Sequence, residues 1–234
     1  MIIDTIKTDR KIYAEPSIVH PISVASKNIL SQRDHALIGI SPFNSYYSET
    51  NIFNIIHWVN NNFKSFNIFF PADLSIYTLL GMGLSKDKAE KKVRRQSNYT
   101  FNKIFRALKK VFPERGHCEN LIISIDDLKN NEKYLKKMNI ILKLFNENFY
   151  FYDFCIKTTK KITFYKGMET IDEFIAVNYF LEELPLLIDT PGILSIPSSL
   201  FIYHDIPEAI NELYNEKVFD LIGDNQGYLR VNFN

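Results

Sequence analysis

Three short apolar runs constrain this chain more than anything else in it: "HALIGI" (35–40), "FNIFFPAD" (66–73) and "SLFIYH" (199–204). Each is too short for a helix and carries almost no polar alternation. That is the pattern of a strand covered on both faces, as in a parallel sheet flanked by helices. The sequence between them has helical spacing. "ETNIFNIIHWVNNNF" (49–63) repeats its apolar residues on one face. Residues 86–110 would form a helix about 37 Å long. "EKYLKKMNIILKLFNENFYFYDFCIKTTKKI" (132–162) reads as mostly helix, and "TIDEFIAVNYFLEELPLLID" (170–189) as a helix stopped by Pro185. "CENLIISIDDL" (118–128) adds a strand or strand edge. "DIPEAINELYN" (205–215) opens as a helix, with Asp205 at the N-cap and Pro207 in the first turn. Residues 1–30, broken by Pro16 and Pro21, read as irregular, and the tail after Gly223 as a closing loop. The alternation predicts one α/β domain over 1–234, with a doubly wound, mostly parallel sheet and helices on both faces.

Composition sets limits on function. The formal net charge is +1, yet residues 86–110 hold ten Lys or Arg against Asp87 and Glu90, so that segment carries +8 and the rest −7. Such asymmetry points to a polyanionic partner, nucleic acid first. The bland alternative is a solvated helix face. Cys118 and Cys155 form no CxxC or metal spacing, so reduced thiols and a cytoplasmic location are expected. The first residues read as too charged for a signal peptide, and no apolar run approaches the ~20 residues of a membrane span.

Familiar nucleotide motifs are absent: no GxGxxG follows the first strand and no GxxxxGK[ST] occurs. Gly39 precedes Ser41 as in a nucleophile elbow, but Phe43 stands where the second glycine belongs. The five histidines lack HExxH or paired ligand spacing, so no metal is expected. Ser41 alone could be a cap or turn serine. Tyr179 and Glu183, four apart on one helix face, could bind an ammonium group or be a surface pair.

Taken together, these stretches resemble the cyclodipeptide synthases. The family's first signature is a histidine, an aliphatic strand, Gly-aliphatic-Ser, two variable residues, then Asn/Ser, Ser/Thr, Tyr, an aromatic residue and Ser/Thr. "HALIGISPFNSYYS" (35–48) matches it in full. The second, Tyr, three residues, Glu, Leu/Ile, Pro, is matched by "YFLEELP" (179–185). The basic segment lies between them as in the family, and the resemblance spans about 30–215. It implies a Rossmann-like fold similar to the catalytic domain of class I tyrosyl- and tryptophanyl-tRNA synthetases. Their ATP-binding HIGH and KMSKS motifs are missing here.

The resemblance also implies an activity: two aminoacyl-tRNAs are joined into a 2,5-diketopiperazine, without ATP or another cofactor. Ser41 matches the nucleophile. Tyr179 and Glu183 match the residues that hold the substrate amino group, and Tyr203 matches a tyrosine implicated in proton relay. Asn44 matches a residue that positions substrate, and Gly39 one that lines the first aminoacyl pocket. Lys91, Lys92, Arg94, Arg95, Lys103, Arg106, Lys109 and Lys110 would contact tRNA phosphates. By rough placement relative to the motifs, Leu37, Phe69, Phe70, Leu186 and Phe201 are expected in the first pocket, which favours an apolar first amino acid. His204 reads as a pocket residue, a proton carrier or an ordinary strand-end histidine. A monomer with no obligate protein partner, no membrane and no metal is expected. Two competing readings are a non-catalytic tRNA- or RNA-binding domain and an aminoacyl-tRNA-dependent transferase.

Overall fold

The computed structural model describes residues 14–114, 116–164 and 171–233. Stretch 1–13, part of the segment expected to be irregular, lies outside them. In chain order the elements are β1 (Ile18–Pro21), α1 (Val24–Gln32), β2 (His35–Gly39), α2 (Glu49–Asn62), β3 (Ser65–Phe69), α3 (Ser75–Gly81) and α4 (Lys86–Val111). Then follow β4 (Ile122–Ile123), α5 (Ile125–Leu128), α6 (Glu132–Glu147), α7 (Phe149–Phe164), α8 (Glu173–Leu194), β5 (Ser199–Tyr203), α9 (Glu208–Asn211) and β6 (Gln226–Asn232).

The six strands form one sheet in the order β1-β6-β5-β2-β3-β4. Only β1 runs antiparallel to its neighbour. From β2 the chain winds outward through β3 to β4, then crosses back to lay β5 on the other side of β2. The carboxyl ends of β2 and β5 therefore flank the point where the winding reverses. In such sheets a crevice opens there, because the two connections leave in opposite directions.

Strand alternation sorts side chains into two cores. Leu37, Phe69, Phe201 and Tyr228 point to the layer built by α5 to α9. Ile38, Ile68, Ile202 and Leu229 point to the layer built by α1, α2 and α4. Every residue of β2 is buried, which accounts for its unbroken apolar run.

Several expectations change. The 1–30 segment contains β1 and α1, the helix capped by Ser23, whose side chain accepts from Ser26 N. Pro21 is tolerated because it ends an edge strand. The tail is not a loop: β6 pairs with β5 over five register positions. Residues 132–162 are two helices, divided at Asn148, whose side chain accepts from Phe151 N. The strand expected over 118–128 shrinks to β4, followed by α5 with a Ser124–Asp127 capping box. Pro207 precedes α9 rather than entering its first turn, and Asp205 is not the cap.

Pro185 does not stop α8. The helix runs through it and bends at Asp189, whose φ/ψ is −157/46. Proline removes one helical hydrogen bond, but Leu184, Leu186, Leu187 and Ile188 around it are all buried, and that packing carries the helix onward. Asp189 Oδ1 then accepts from Gly192 N (3.1 Å), capping the second segment.

At the amino end of the sheet His35 bridges three strands. Its Nδ1 faces Ser199 Oγ at 2.8 Å and its Nε2 faces Asn67 Oδ1 at 3.2 Å. The Asn67 oxygen can only accept, so Nε2 carries the proton and Ser199 donates to Nδ1. Burial holds this imidazole below its ordinary value of 6.5. The unfolded chain therefore takes up the proton first, and stability falls as pH drops through 6.5 until the folded value is passed. His35→Gln should lose about 1–3 kcal/mol at pH 7.5 from unpaired buried groups. It should also show a shallower loss of melting temperature between pH 7 and pH 5 than the wild type. Parallel curves in a pH-melting series would contradict this role.

Candidate active site

The loop between β2 and α2 is short and pinned at many points. Ile40 N donates to Phe69 O (3.0 Å), extending the strand ladder one residue past β2. Ser41 follows, then buried Pro42 and Phe43, whose φ is +62°. The Asn44 side-chain oxygen accepts from Tyr46 N at 3.0 Å. The Tyr47 hydroxyl reaches back to donate to Gly39 O at 2.7 Å. Lys103 Nζ donates to Tyr47 O at 3.2 Å, tying the loop to α4. Ser48, not Ser41, caps α2 by accepting from Asn51 N (3.1 Å). This disposes of the cap reading for Ser41.

Ser41 faces the end of β5. Its Oγ lies 3.0 Å from the Tyr203 hydroxyl. Asn44 Nδ2 donates to the Tyr203 oxygen (3.2 Å) and lies 2.9 Å from His204 Nε2. Because the Asn44 oxygen is held by Tyr46 N, the amide orientation is fixed and both contacts receive N–H groups. His204 Nε2 is therefore an acceptor. Tyr203, already accepting from Asn44, has its own proton free to donate to Ser41. His204 stacks on Tyr46 with centroids 4.4 Å apart, and burial lowers its pKa below 6.5.

Gly39 is required at the base of this arrangement. A Cβ there would lie 2.7 Å from the Phe201 ring, inside contact distance. Its absence lets β2 and β5 bring their side chains together just below Ser41.

The opposite wall is α8. Tyr179 and Glu183, one turn apart, line a cavity of ≈ 400 Å³ together with Ser41, Asn44, Phe201 and Tyr203. The Tyr179 phenol lines this cavity beside Ser41. Burial, and after it the Glu183 charge, drives the Tyr179 phenol well above 10. Tyr203 is raised by burial, against its hydrogen bonds with Ser41 and Asn44. Tyr47 and Tyr228 are likewise pushed well above 10, by burial first, with Glu183 contributing. One carboxylate thus stands among four neutral phenols. Such a site can hold an ammonium group by charge and hydrogen bond. It has no imidazole base at Ser41 Oγ, so it suits an acyl donor that is already activated.

The structure brings Ser41, Asn44, Tyr179, Glu183, Phe201 and Tyr203 together, with Gly39 and His204 behind them. It does not bring in the other expected pocket residues. Leu37 and Phe69 sit deeper in the core on the cavity side, Leu186 faces that core from α8, and Phe70 points to the opposite face. Rough spacing could not give their parity. The cavity wall instead includes Thr78 from α3, Thr158 and Thr159 from α7, and Ile210 from α9. No motif marks these residues, because the packing of distant helices selects them.

The basic segment forms α4 as expected, with Asp87 in its first turn and Lys109 and Lys110 in its last. Its charges divide into two groups. Arg106 and Lys110 pair with Glu49 of α2 at 2.8 and 2.6 Å, and Lys103 holds the Ser41 loop. Lys109 lies 5.5 Å from the Phe105 ring centroid. Lys91, Lys92, Arg94 and Arg95, nearer the amino end, are exposed. Among the described residues no cluster of three His, Cys, Asp or Glu is arranged for a metal, and no helix is long and apolar enough to cross a membrane. Neither Cys118 nor Cys155 is in a disulfide, and both are buried.

Comparison with known proteins fits this geometry. The family described as "Cyclodipeptide synthase" matches residues 18–232. A cyclo(L-leucyl-L-leucyl) synthase from Staphylococcus haemolyticus is 31% identical over 87% of this chain and 89% of its own. The chain belongs to the cyclodipeptide synthases, enzymes that make cyclic dipeptides. The fold is shared with a Mycobacterium tuberculosis protein whose structure was reported to relate cyclodipeptide synthetases to type I tRNA synthetases. The TM-score is 0.83, with 23% identity, over 96% of this chain and 98% of that one. A more distant synthase, from Candidatus Glomeribacter gigasporarum, was solved bound to Phe-tRNAPhe. Its TM-score is 0.51, with 13% identity, over 86% of this chain and 88% of that one.

The His204–Asn44–Tyr203 chain requires a neutral imidazole, since a protonated Nε2 would face the Asn44 N–H group. Activity should therefore rise with pH along a limb set by the lowered His204 pKa, below 6.5. In His204→Gln, whose amide oxygen can still accept, that limb should vanish from the pH profile of kcat/KM. An unchanged acid limb would contradict the arrangement.

Proposed function

We propose that this enzyme joins two aminoacyl-tRNAs into a 2,5-diketopiperazine by ping-pong covalent catalysis through Ser41. The observation that carries the proposal is the meeting of Ser41 Oγ with the Tyr203 phenol at 3.0 Å in a cavity shared with Glu183. An aminoacyl ester is far more reactive than an amide, so the serine needs no histidine base. Its oxygen attacks the ester carbonyl, the bond to the ribose oxygen breaks, and the proton passes to that leaving oxygen. Ser41 then carries the amino acid as an ester, with its ammonium held by Glu183 and Tyr179.

The second aminoacyl-tRNA supplies an amine, which attacks the seryl ester and releases the Ser41 hydroxyl. The dipeptide is now an ester of the second tRNA; Ser41 Oγ attacks that ester carbonyl, the bond to the ribose oxygen breaks, and the second tRNA leaves with the proton. The free terminal amine finally attacks the dipeptidyl ester carbonyl, closing the six-membered ring and freeing the serine once more. Each step exchanges one acyl bond for another, so no ATP, metal or redox group is needed. Tyr203 donates to Ser41 and carries protons during cyclisation, and Asn44 holds Tyr203 in line.

Lys91, Lys92, Arg94 and Arg95 would bind tRNA phosphates without reading sequence. The tRNA-bound relative supports that partner. The apolar wall of Phe180, Leu187, Phe201 and Ile210, with the name of the Staphylococcus haemolyticus relative, supports an apolar product containing leucine. The enzyme would work as a monomer in the cytoplasm, where charged tRNA is found.

Mass spectrometry of medium from bacteria expressing this chain should reveal a new cyclic dipeptide, lost with Ser41→Ala. A folded wild type without product, but with tRNA bound, would favour a binding domain instead. Replacing Lys91, Lys92, Arg94 and Arg95 together with Ala should raise KM. It should also flatten the plot of log affinity against log salt by roughly 3 units. Unchanged affinity and salt slope would remove tRNA from α4.

A further inference from the structure

No step above uses Phe43. Its backbone lies at φ +62°, a region costly for a bulky side chain. The strain is not offset by core packing, because Phe43 belongs to none of the hydrophobic clusters. It is 36% exposed, and its ring lines the same cavity as Ser41. The loop holds it there: Pro42 is buried on one side, and on the other Asn44 is fixed by Tyr46 N and Tyr203. Above the ring, 6.0 Å from its centroid, stands Lys92 Nζ of α4. A rigid aromatic face at a cavity rim, flanked by a cation, suits a flat π-system attached to a phosphate.

The substrate of the proposed reaction carries such a group next to its reacting ester. In an aminoacyl-tRNA only the ribose ring separates the esterified oxygen from the terminal adenine, and the next phosphate follows on the same nucleotide. Ser41 and Phe43 are two residues apart, within about 7 Å along the chain. With the ester at Ser41 and the amino-acid side chain in the apolar interior, the base is left at the rim.

We infer that Phe43 is the platform on which the terminal adenine of the first aminoacyl-tRNA stacks while its ester is presented to Ser41, with Lys92 meeting the adjacent phosphate. The inference rests on the proposed acylation of Ser41. Base stacking on an aromatic side chain is indifferent to sequence, as suits a terminal adenosine common to all tRNAs. It would orient the ribose and leave selection of the amino acid to the cavity.

The test is single-turnover acylation of Ser41, followed by intact-protein mass. Three esters of the same amino acid serve as donors: aminoacyl-tRNA, aminoacyl-adenosine, and a cyanomethyl ester that lacks any nucleoside. Phe43→Gly keeps a backbone suited to φ +62°, and Phe43→Asn is a second truncation that also tolerates this region. Both should lose roughly tenfold or more in acylation rate at low concentration with the two adenosine-bearing donors. Both should react as the wild type does with the cyanomethyl ester, and Phe43→Trp should keep the wild-type rate with all three donors. Equal loss with all three donors, or no loss with any, would overturn the platform while leaving Ser41 as nucleophile. A wild type acylated by none of them would overturn the nucleophile and this inference together.

Discussion

The parallel pairing of β2 with β5 is the constraint on which the rest of this structure depends. Its register sets Ala36 against Leu200, Leu37 against Phe201 and Ile38 against Ile202. A slip of β5 by one residue would exchange its two faces. Phe201 would then leave one core for the other, and Ser41 would no longer meet Tyr203. Two features hold the register from either end. At the amino end His35 is bonded to Ser199 of β5 and Asn67 of β3. At the carboxyl end Gly39 leaves room for the Phe201 ring, which no other residue could do without displacing it. The histidine and glycine that open the family signature thus act on strand pairing, one turn of logic before the chemistry.

The electrostatics follow from where this pairing puts the serine. Burial drives three phenols lining the cavity, and Tyr47 behind it, to higher pKa values, and the Glu183 charge adds to each shift. They remain proton donors near neutrality, and none can act as a strong base toward Ser41. A serine in such a setting is a poor hydrolase nucleophile. It is adequate where the acyl group arrives as an ester whose leaving oxygen takes up the serine proton. The site therefore selects its chemistry through what it lacks as well as what it holds.

Much of this was legible in the sequence, and the limits have physical causes. β2, β3 and β5 could be read because burial on both faces removes polar alternation. α4 could be read because its charge and period are extreme. The motif residues Ser41, Tyr179 and Glu183 line one cavity. β1 and β6 escaped notice since an edge strand and a mixed run such as "QGYLRVN" owe their form to neighbours rather than to pattern. The passage of α8 through Pro185 was hidden because buried leucines on both sides outweigh a local helix breaker. Leu37, Phe69, Phe70 and Leu186 are apolar and can be placed only roughly relative to the motifs. Which face they occupy depends on register and helix rotation, and neither is written in spacing. The threonines of the cavity wall come from α3 and α7, helices far away in the chain.

The most direct test of the central claim is a chase of the isolated acyl-enzyme. The wild type is incubated with one isotope-labelled aminoacyl-tRNA, separated from tRNA, digested to locate the label, and mixed with a second, unlabelled aminoacyl-tRNA. The account predicts one labelled aminoacyl group on the Ser41 peptide, and its passage into a cyclic dipeptide without the first tRNA present. Product that forms only when both charged tRNAs are present together, with no label on Ser41, would contradict it.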